Sequence, residues 1–131
     1  MKNFQVKVVD ADIAQKLLLD IGISPDKTGY TYLLACIQCF RDKSRRLMEI
    51  YRIVAKSFNV KPTNVERCVR FAVRIAFSKG SFIKLNKYFN YELFGAKTYM
   101  YNGDFIATVA TYLDMINAPR MRIVVCESEE E

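Results

Sequence analysis

YRIVAKSFNVKPTNVERCVRFAVRIAFSK, residues 51–79, decides the fold. It reads as two helices joined by a short turn, and the second helix sorts its residues by face. At about 100° per residue, Val65, Cys68, Val69, Ala72, Val73 and Ala76 fall on one apolar arc. Thr63, Arg67, Arg70, Phe71, Arg74 and Ser78 fall on the opposite one. Three arginines and an aromatic with almost no acid among them have two readings. One is a solvated outer face, the ordinary fate of a charged helical stripe. The other is a recognition helix in the DNA major groove, with arginines placed for guanine edges or phosphates.

The turn favours the second reading. Thr63-Asn64-Val65-Glu66 has the pattern of a capping box, Thr63 accepting from the Glu66 amide while Glu66 reaches back. Pro62 just outside stops the preceding helix. Ala55 is small where two helices must approach, and Asn59 tolerates the left-handed backbone that a tight turn needs. Val54, Phe58, Val60, Val65 and Cys68 supply a small core between the helices, and the joint register is that of a helix-turn-helix.

Working outward, 131 residues with 51% hydrophobic content suffice for one domain with a core. The expected layout is a single domain, 1–131, with an all-α core over 10–118 of about six helices. Strand-like ends cover 3–9 and 120–126, and an acidic tail covers 127–131. The 20 basic and 14 acidic residues give a net charge of +6; four of the acids lie in 127–131, so the rest carries +10. A body this basic suits a polyanionic partner.

No secretory signal is evident in residues 1–10, and no apolar run approaches the ~20 residues of a transmembrane helix. A cytoplasmic protein with no membrane partner is expected. Cys36-Ile37-Gln38-Cys39 spaces like a redox or zinc motif, but it lies in a helical apolar run in a chain without histidine. Cys36, Cys39, Cys68 and Cys126 therefore read as reduced, small apolar residues. No nucleotide loop, nucleophile elbow or paired acid–base constellation is present. We expect no enzyme, catalytic residue, metal or cofactor.

The remaining helices follow from start and stop signals. The first begins near Asp10 under an Asp cap, turns Ile13, Leu17, Leu18 and Ile21 inward and is closed by Gly22. Ser24-Pro25-Asp26 starts a second that runs to about Arg41. A third spans about Ser44 to Ser57, a short one about Ser81 to Tyr88. The last is capped by Asn102, buries Phe105, Ile106, Val109, Ala110, Leu113 and Ile116, and is ended by Pro119. Residues 3–9 and 121–126 alternate like strands and invite pairing within one chain or across a dimer.

In its order of anchors the chain resembles the C-terminal DNA-binding effector domain of the master response regulator of sporulation in spore-forming bacteria (stage 0 sporulation protein A type). The likeness covers about Ile13 to Ile116. It rests on Ile21-Gly22, on Gly29-Tyr30-Thr31-Tyr32-Leu33, on Val65-Glu66-Arg67 with Val69-Arg70, on Ser78-Lys79-Gly80 and on Phe105-Ile106-Ala107. The resemblance implies a six-helix domain whose fourth helix enters the major groove, with contacts from Glu66, Arg67 and Arg70. Asn64 stands where the family places an arginine and Phe71 where it tends to place histidine. Residues 41–46 form a shorter connection than in the family. The regulators also carry an N-terminal phosphoacceptor domain for which this chain has no room, so control by receiver phosphorylation is not expected.

The expectation is thus a sequence-specific transcription regulator that reads duplex DNA with helix 64–78. Asn64, Glu66, Arg67, Arg70, Phe71 and Arg74 face bases. Lys61, Thr63, Arg45, Arg46, Lys79, Lys84 and Lys97 grip phosphates. A homodimer, through the terminal strands or on DNA, and RNA polymerase or a related regulator are the expected protein partners. The alternative is an interaction module that pairs with or antagonises a full-length regulator or RNA polymerase.

Overall fold

The computed structural model describes residues 2–79, 81–89, 94–95 and 99–129, with the backbone alone for 2–5, 81 and 125–129. In chain order these form strand β1 (Lys2–Val9) and helices α1 (Asp12–Asp20), α2 (Thr28–Asp42), α3 (Leu47–Phe58) and α4 (Pro62–Ser78). A 3-10 turn (Ser81–Leu85), a single helical turn α5 (Asn86–Phe89), helix α6 (Asn102–Met115) and strand β2 (Arg122–Glu129) follow. The all-α expectation with a helix-turn-helix and a strand at each end holds.

α2 is the central post. Ten of its residues, from Gly29 to Cys39, are buried, and it packs against α3, α4 and α6. Gly29 brings it close to α4. A Cβ on Gly29 would lie 2.4 Å from the Cys68 carbonyl oxygen and 3.1 Å from the Ala72 Cβ. Only glycine lets the backbones meet there. Gly29→Ala is expected to force α2 and α4 apart and destabilise the domain by about 1–3 kcal/mol, the usual cost of overpacking; urea unfolding would measure it.

The helix-turn-helix is built as its residues dictate. Asn59 ends α3 in the left-handed region (φ 56°, ψ 47°), and the Val60 amide bonds back to Ala55. Ile50, Tyr51, Val54 and Ala55 from α3 and Val65, Val69, Ala72, Val73 and Ala76 from α4 are buried in the core. Phe58 meets Tyr32 edge-on at 5.1 Å. Cys36 and Cys39 are buried in α2. Burial pushes the Cys36 thiol far above its ordinary value and raises Cys39 as well, so both stay protonated and serve as small core residues.

Several local expectations are corrected. The capping box is absent: Pro62 is the first residue of α4, Lys61 takes the cap position, and no side chain caps the helix. Proline's fixed φ and missing N–H suit that first position, which places Thr63 inside the helix, where it cannot act as the cap. Helix 64–78 therefore begins two residues earlier. Asp10 does not cap α1; it is left-handed (φ 59°), and its carboxylate accepts from Arg122 Nε at 2.9 Å. Ser24-Pro25-Asp26 forms a turn before α2 instead of its first turn, with the Ser24 hydroxyl donating to Asp26 and the Lys27 amide bonding to the Ser24 carbonyl.

Asn102 does not cap α6; its amide donates to the Tyr51 hydroxyl at 3.1 Å. α3 starts at Leu47 rather than Ser44, and the helix expected over 81–88 is a 3-10 turn followed by α5. Ile13 and Ile116 are exposed. Ile13 stands about 100° before Ala14 on the helical wheel, at the margin of the buried arc, and Ile116 follows the end of α6. Gly22 closes α1 as expected, at φ 90°, with the Ile23 amide on the Leu18 carbonyl.

β1 and β2 pair antiparallel within the chain, from Lys2 opposite Glu129 to Val9 opposite Arg122. The second strand extends through residues assigned to the acidic tail, and a dimer through these strands would have to use their outer edges. Among the described residues, a polar cluster around Arg41 ties the ribbon to the helices. The Arg41 side chain is 3% exposed and its Nε donates to Asp114 at 2.8 Å. Its Nη2 donates to the Ala118 carbonyl at 2.7 Å, and Nη1 to Pro119 and Gln38 at 3.1 Å. Gln38 Oε1 also accepts the Met121 amide at 2.9 Å.

A second polar cluster joins α1 to α5. Asp20 accepts from Lys87 and, at 3.0 Å, from the Tyr88 hydroxyl. The Lys87 bond holds the Asp20 carboxyl below its ordinary 3.8, while burial and the Asp20 bond push Tyr88 up to about 12. A lowered folded-state value means that the stability from Asp20 is complete above the unfolded value and is lost as pH falls through the folded one. Asp20→Asn is therefore expected to flatten the acid limb of the stability profile below about pH 4, as seen in thermal unfolding across pH.

Candidate nucleic-acid interface

α4 buries one stripe and leaves the other free, because its apolar arc is satisfied by α2, α3 and α6. The free stripe holds the arginines. Arg67 and Arg74 are exposed, Arg70 is partly so, and Phe71 has 60% of its surface exposed. Phe71 stands among the arginines as one of several large apolar side chains left exposed, with Tyr101, Met115 and Met48 more open still.

Short-range bonds along the helix set the direction of two arginines. Arg67 Nη2 donates to Asn64 Oδ1 at 2.7 Å, one turn earlier. Glu66 Oε1 lies 3.5 Å from Arg70 Nη1. Exposed pairs of this kind contribute only about 0.3–0.5 kcal/mol, so they orient the guanidinium groups without tying them up. Glu66 thus pairs with Arg70 on the exposed face. Arg74 has no hydrogen bond or ion pair among the described residues. Behind this face, burial pushes the Tyr51 hydroxyl up to about 12, opposed by the Asn102 bond; it remains neutral and structural.

The residues expected to meet phosphate are spread along α4 and its surroundings. Lys61 and Thr63 are exposed at the start of α4. Pro62 has no amide hydrogen, and the Asn64 amide bonds to the Lys61 carbonyl at 2.9 Å. Among the described residues no side chain caps this end, and Thr63 is exposed at the positive end of the helix dipole. At the other end of α4, roughly 25 Å away for its 17 residues, the Lys79 ammonium makes a 3.4 Å contact with the Gly22 carbonyl. Lys84 is exposed on the 3-10 turn, close enough to Asp20 to help lower its pKa.

Arg45 and Arg46 precede α3, at its end opposite the turn. The Arg45 guanidinium lies 5.6 Å from the centre of the Phe40 ring. Lys97 falls outside the described residues. Of the described aromatics after α5, Tyr99 stands edge-on to Phe77 at 4.8 Å and Phe94 is clamped by Asn86 through two bonds of 2.8 and 2.9 Å, whereas Tyr101 is exposed against the Tyr99 ring.

Two features of the fold are not announced by the sequence. Arg41 reads in sequence as part of a basic junction, yet it is the most buried of those cations, and nothing local announces partners at residues 114–119. Gly29 carries no local signal of its packing role, which depends on a helix more than 30 residues away. Among the described residues, no helix is long and apolar enough to cross a membrane.

A family model described as "Sporulation initiation factor Spo0A C terminal" matches residues 14–113. The match runs from the first buried turn of α1 to the last buried residue of α6 and includes the whole helix-turn-helix. With most of its length covered, the chain belongs to the Spo0A C-terminal family of sporulation initiation factors.

Proposed function

We propose that this domain is a sequence-specific, duplex-DNA-binding transcription regulator that reads the major groove with α4. The observation that carries the reading is the free face of α4. Arg67, Arg70 and Arg74 stand on one side of a helix-turn-helix second helix, two of them oriented by Asn64 and Glu66. Arginine forks suit the O6/N7 edge of guanine, and each good contact is worth about 1–3 kcal/mol of discrimination. Asn64 and Glu66 carry a second acceptor or donor toward the same groove, and Phe71 offers an apolar contact to a thymine methyl group.

Lys61, Thr63, Lys79 and Lys84 bracket this helix and suit backbone phosphates, with Arg45 and Arg46 reaching the flank from the start of α3. Membership in the family supports the same reading. Target sequence, self-association on DNA and contact with RNA polymerase belong to this proposal as its next questions.

Fluorescence anisotropy with a labelled duplex at several salt concentrations tests the backbone part. Each lost phosphate contact lowers the slope of log K against log salt by about 0.9. Lys61→Ala and Lys84→Ala are each expected to reduce the slope by that amount while leaving sequence preference intact. A slope unchanged in both variants would remove these lysines from the interface.

A further inference from the structure

The loop between α1 and α2 runs back along α4 and leaves a groove of about 620 Å³, within the usual range for small-molecule sites. Two contacts fix its direction. Gly29 touches the Cys68 carbonyl region at one end, and the Lys79 ammonium reaches the Gly22 carbonyl at the other. The floor is apolar, built from Ile23, Cys68, Ala72 and Ile75 with the exposed Phe71 ring as one wall. Lys27 and Arg67 stand at the Gly29 end, and the described lining residues include no carboxylate. Asp26, next to Lys27, is exposed and engaged by Ser24. Arg67 to Lys79 spans roughly 18 Å of helix, long enough for a medium-length alkyl chain.

An apolar trough with two cations at one end, and at the other a single lysine engaged by the Gly22 carbonyl, is complementary to one kind of molecule. We propose that this groove binds an amphiphile with an anionic head and a single hydrocarbon tail, a medium-chain fatty carboxylate being the simplest form. The head meets Lys27 and Arg67, and the tail lies over Ala72 and Ile75 toward Gly22. Arg67 and Phe71 belong to both the groove and the DNA-reading face, so an occupied groove competes with duplex DNA. The competition rests on the function proposed above; the binding does not.

Binding is read first without DNA. The ¹⁵N-labelled chain is titrated with sodium decanoate below its critical micelle concentration, with decyltrimethylammonium as the cationic comparator. Saturable amide shifts at Gly22, Cys68, Ala72 and Ile75 are expected, with the cationic comparator at least tenfold weaker. Lys27→Glu is expected to weaken decanoate at least threefold, and Ile75→Gln likewise; should Ile75→Gln fail to fold, Lys27→Glu, on the surface, still decides. Equal binding of both amphiphiles, shifts scattered over the basic surface, or binding seen only with anionic phosphatidylglycerol vesicles would each overturn the site. In the second arm, decanoate at ten times its Kd is expected to weaken duplex binding at least fivefold in the wild type and much less in Lys27→Glu. A wild type that binds decanoate in the groove and DNA without interference would overturn the competition. Decanoate binding with no DNA binding at all would instead count against the DNA reading.

Discussion

Arg41→Ala is expected to lower the midpoint of thermal unfolding by about 10 °C. The side chain is almost fully buried and donates to four acceptors on three segments: Gln38 on α2, Asp114 on α6, and the carbonyls of Ala118 and Pro119. Removing one partner of a buried ion pair costs about 3–5 kcal/mol, mostly because the other is left unsatisfied. Asp114 is 44% exposed and water can replace its lost bond, which places the expected loss near the lower figure, about 3 kcal/mol. For a domain of this size that corresponds to the shift given, at roughly 3–4 °C per kcal/mol.

Two comparisons separate the causes. Arg41→Met keeps the apolar stem and should recover the packing share of the loss. Asp114→Asn should cost less than about 1 kcal/mol, because that end is open to solvent. The loss should also be local in its first effects. Gln38 Oε1 receives both Arg41 and the Met121 amide, so freeing Gln38 loosens the point where β2 enters. Hydrogen exchange at the β2 amides should accelerate before that of α2 or α4.

The second large effect is functional. Arg67→Ala combined with Arg70→Ala is expected to leave folding intact and to remove most sequence discrimination. Both side chains are exposed or partly so, and their only described partners are Asn64 and Glu66, one turn away on the same helix. Loss of these weak pairs costs a few tenths of a kcal/mol of stability each. At about 1–3 kcal/mol per bidentate contact, the double variant should bind the selected site on the order of 100-fold more weakly. Binding to unrelated duplex should fall only by the electrostatic share of two charges. Glu66→Gln should give a smaller change in preference than the arginine variants if its role is to aim Arg70.

Much of this was legible in the sequence because it is local. The apolar arc of α4 is fixed by its own spacing. Asn59 could be read as the left-handed residue of the turn because few other residues tolerate that backbone, and Gly22 as the end of α1 for the same reason. The terminal strands showed their alternation. Capping was less legible, since a cap competes with everything else within reach. Asp10 is taken by Arg122, over 110 residues away; Asn102 is taken by Tyr51; Thr63 is displaced because Pro62 fits the first helical position better. Arg41 and Gly29 depend on partners brought near only by the finished fold. The exposed residues of α4 were legible as a face, while their pairing, Asn64 with Arg67 and Glu66 with Arg70, needed coordinates.

The most direct measurement is selection of duplexes from a randomised pool by the wild-type chain and by the Arg67→Ala/Arg70→Ala variant, with folding of both followed by circular dichroism. The account predicts that the wild type enriches a defined sequence rich in guanine contacts and that the folded variant enriches none. A wild type that shows no preference, or a folded variant that retains it, would contradict the assignment of α4 as the reading helix.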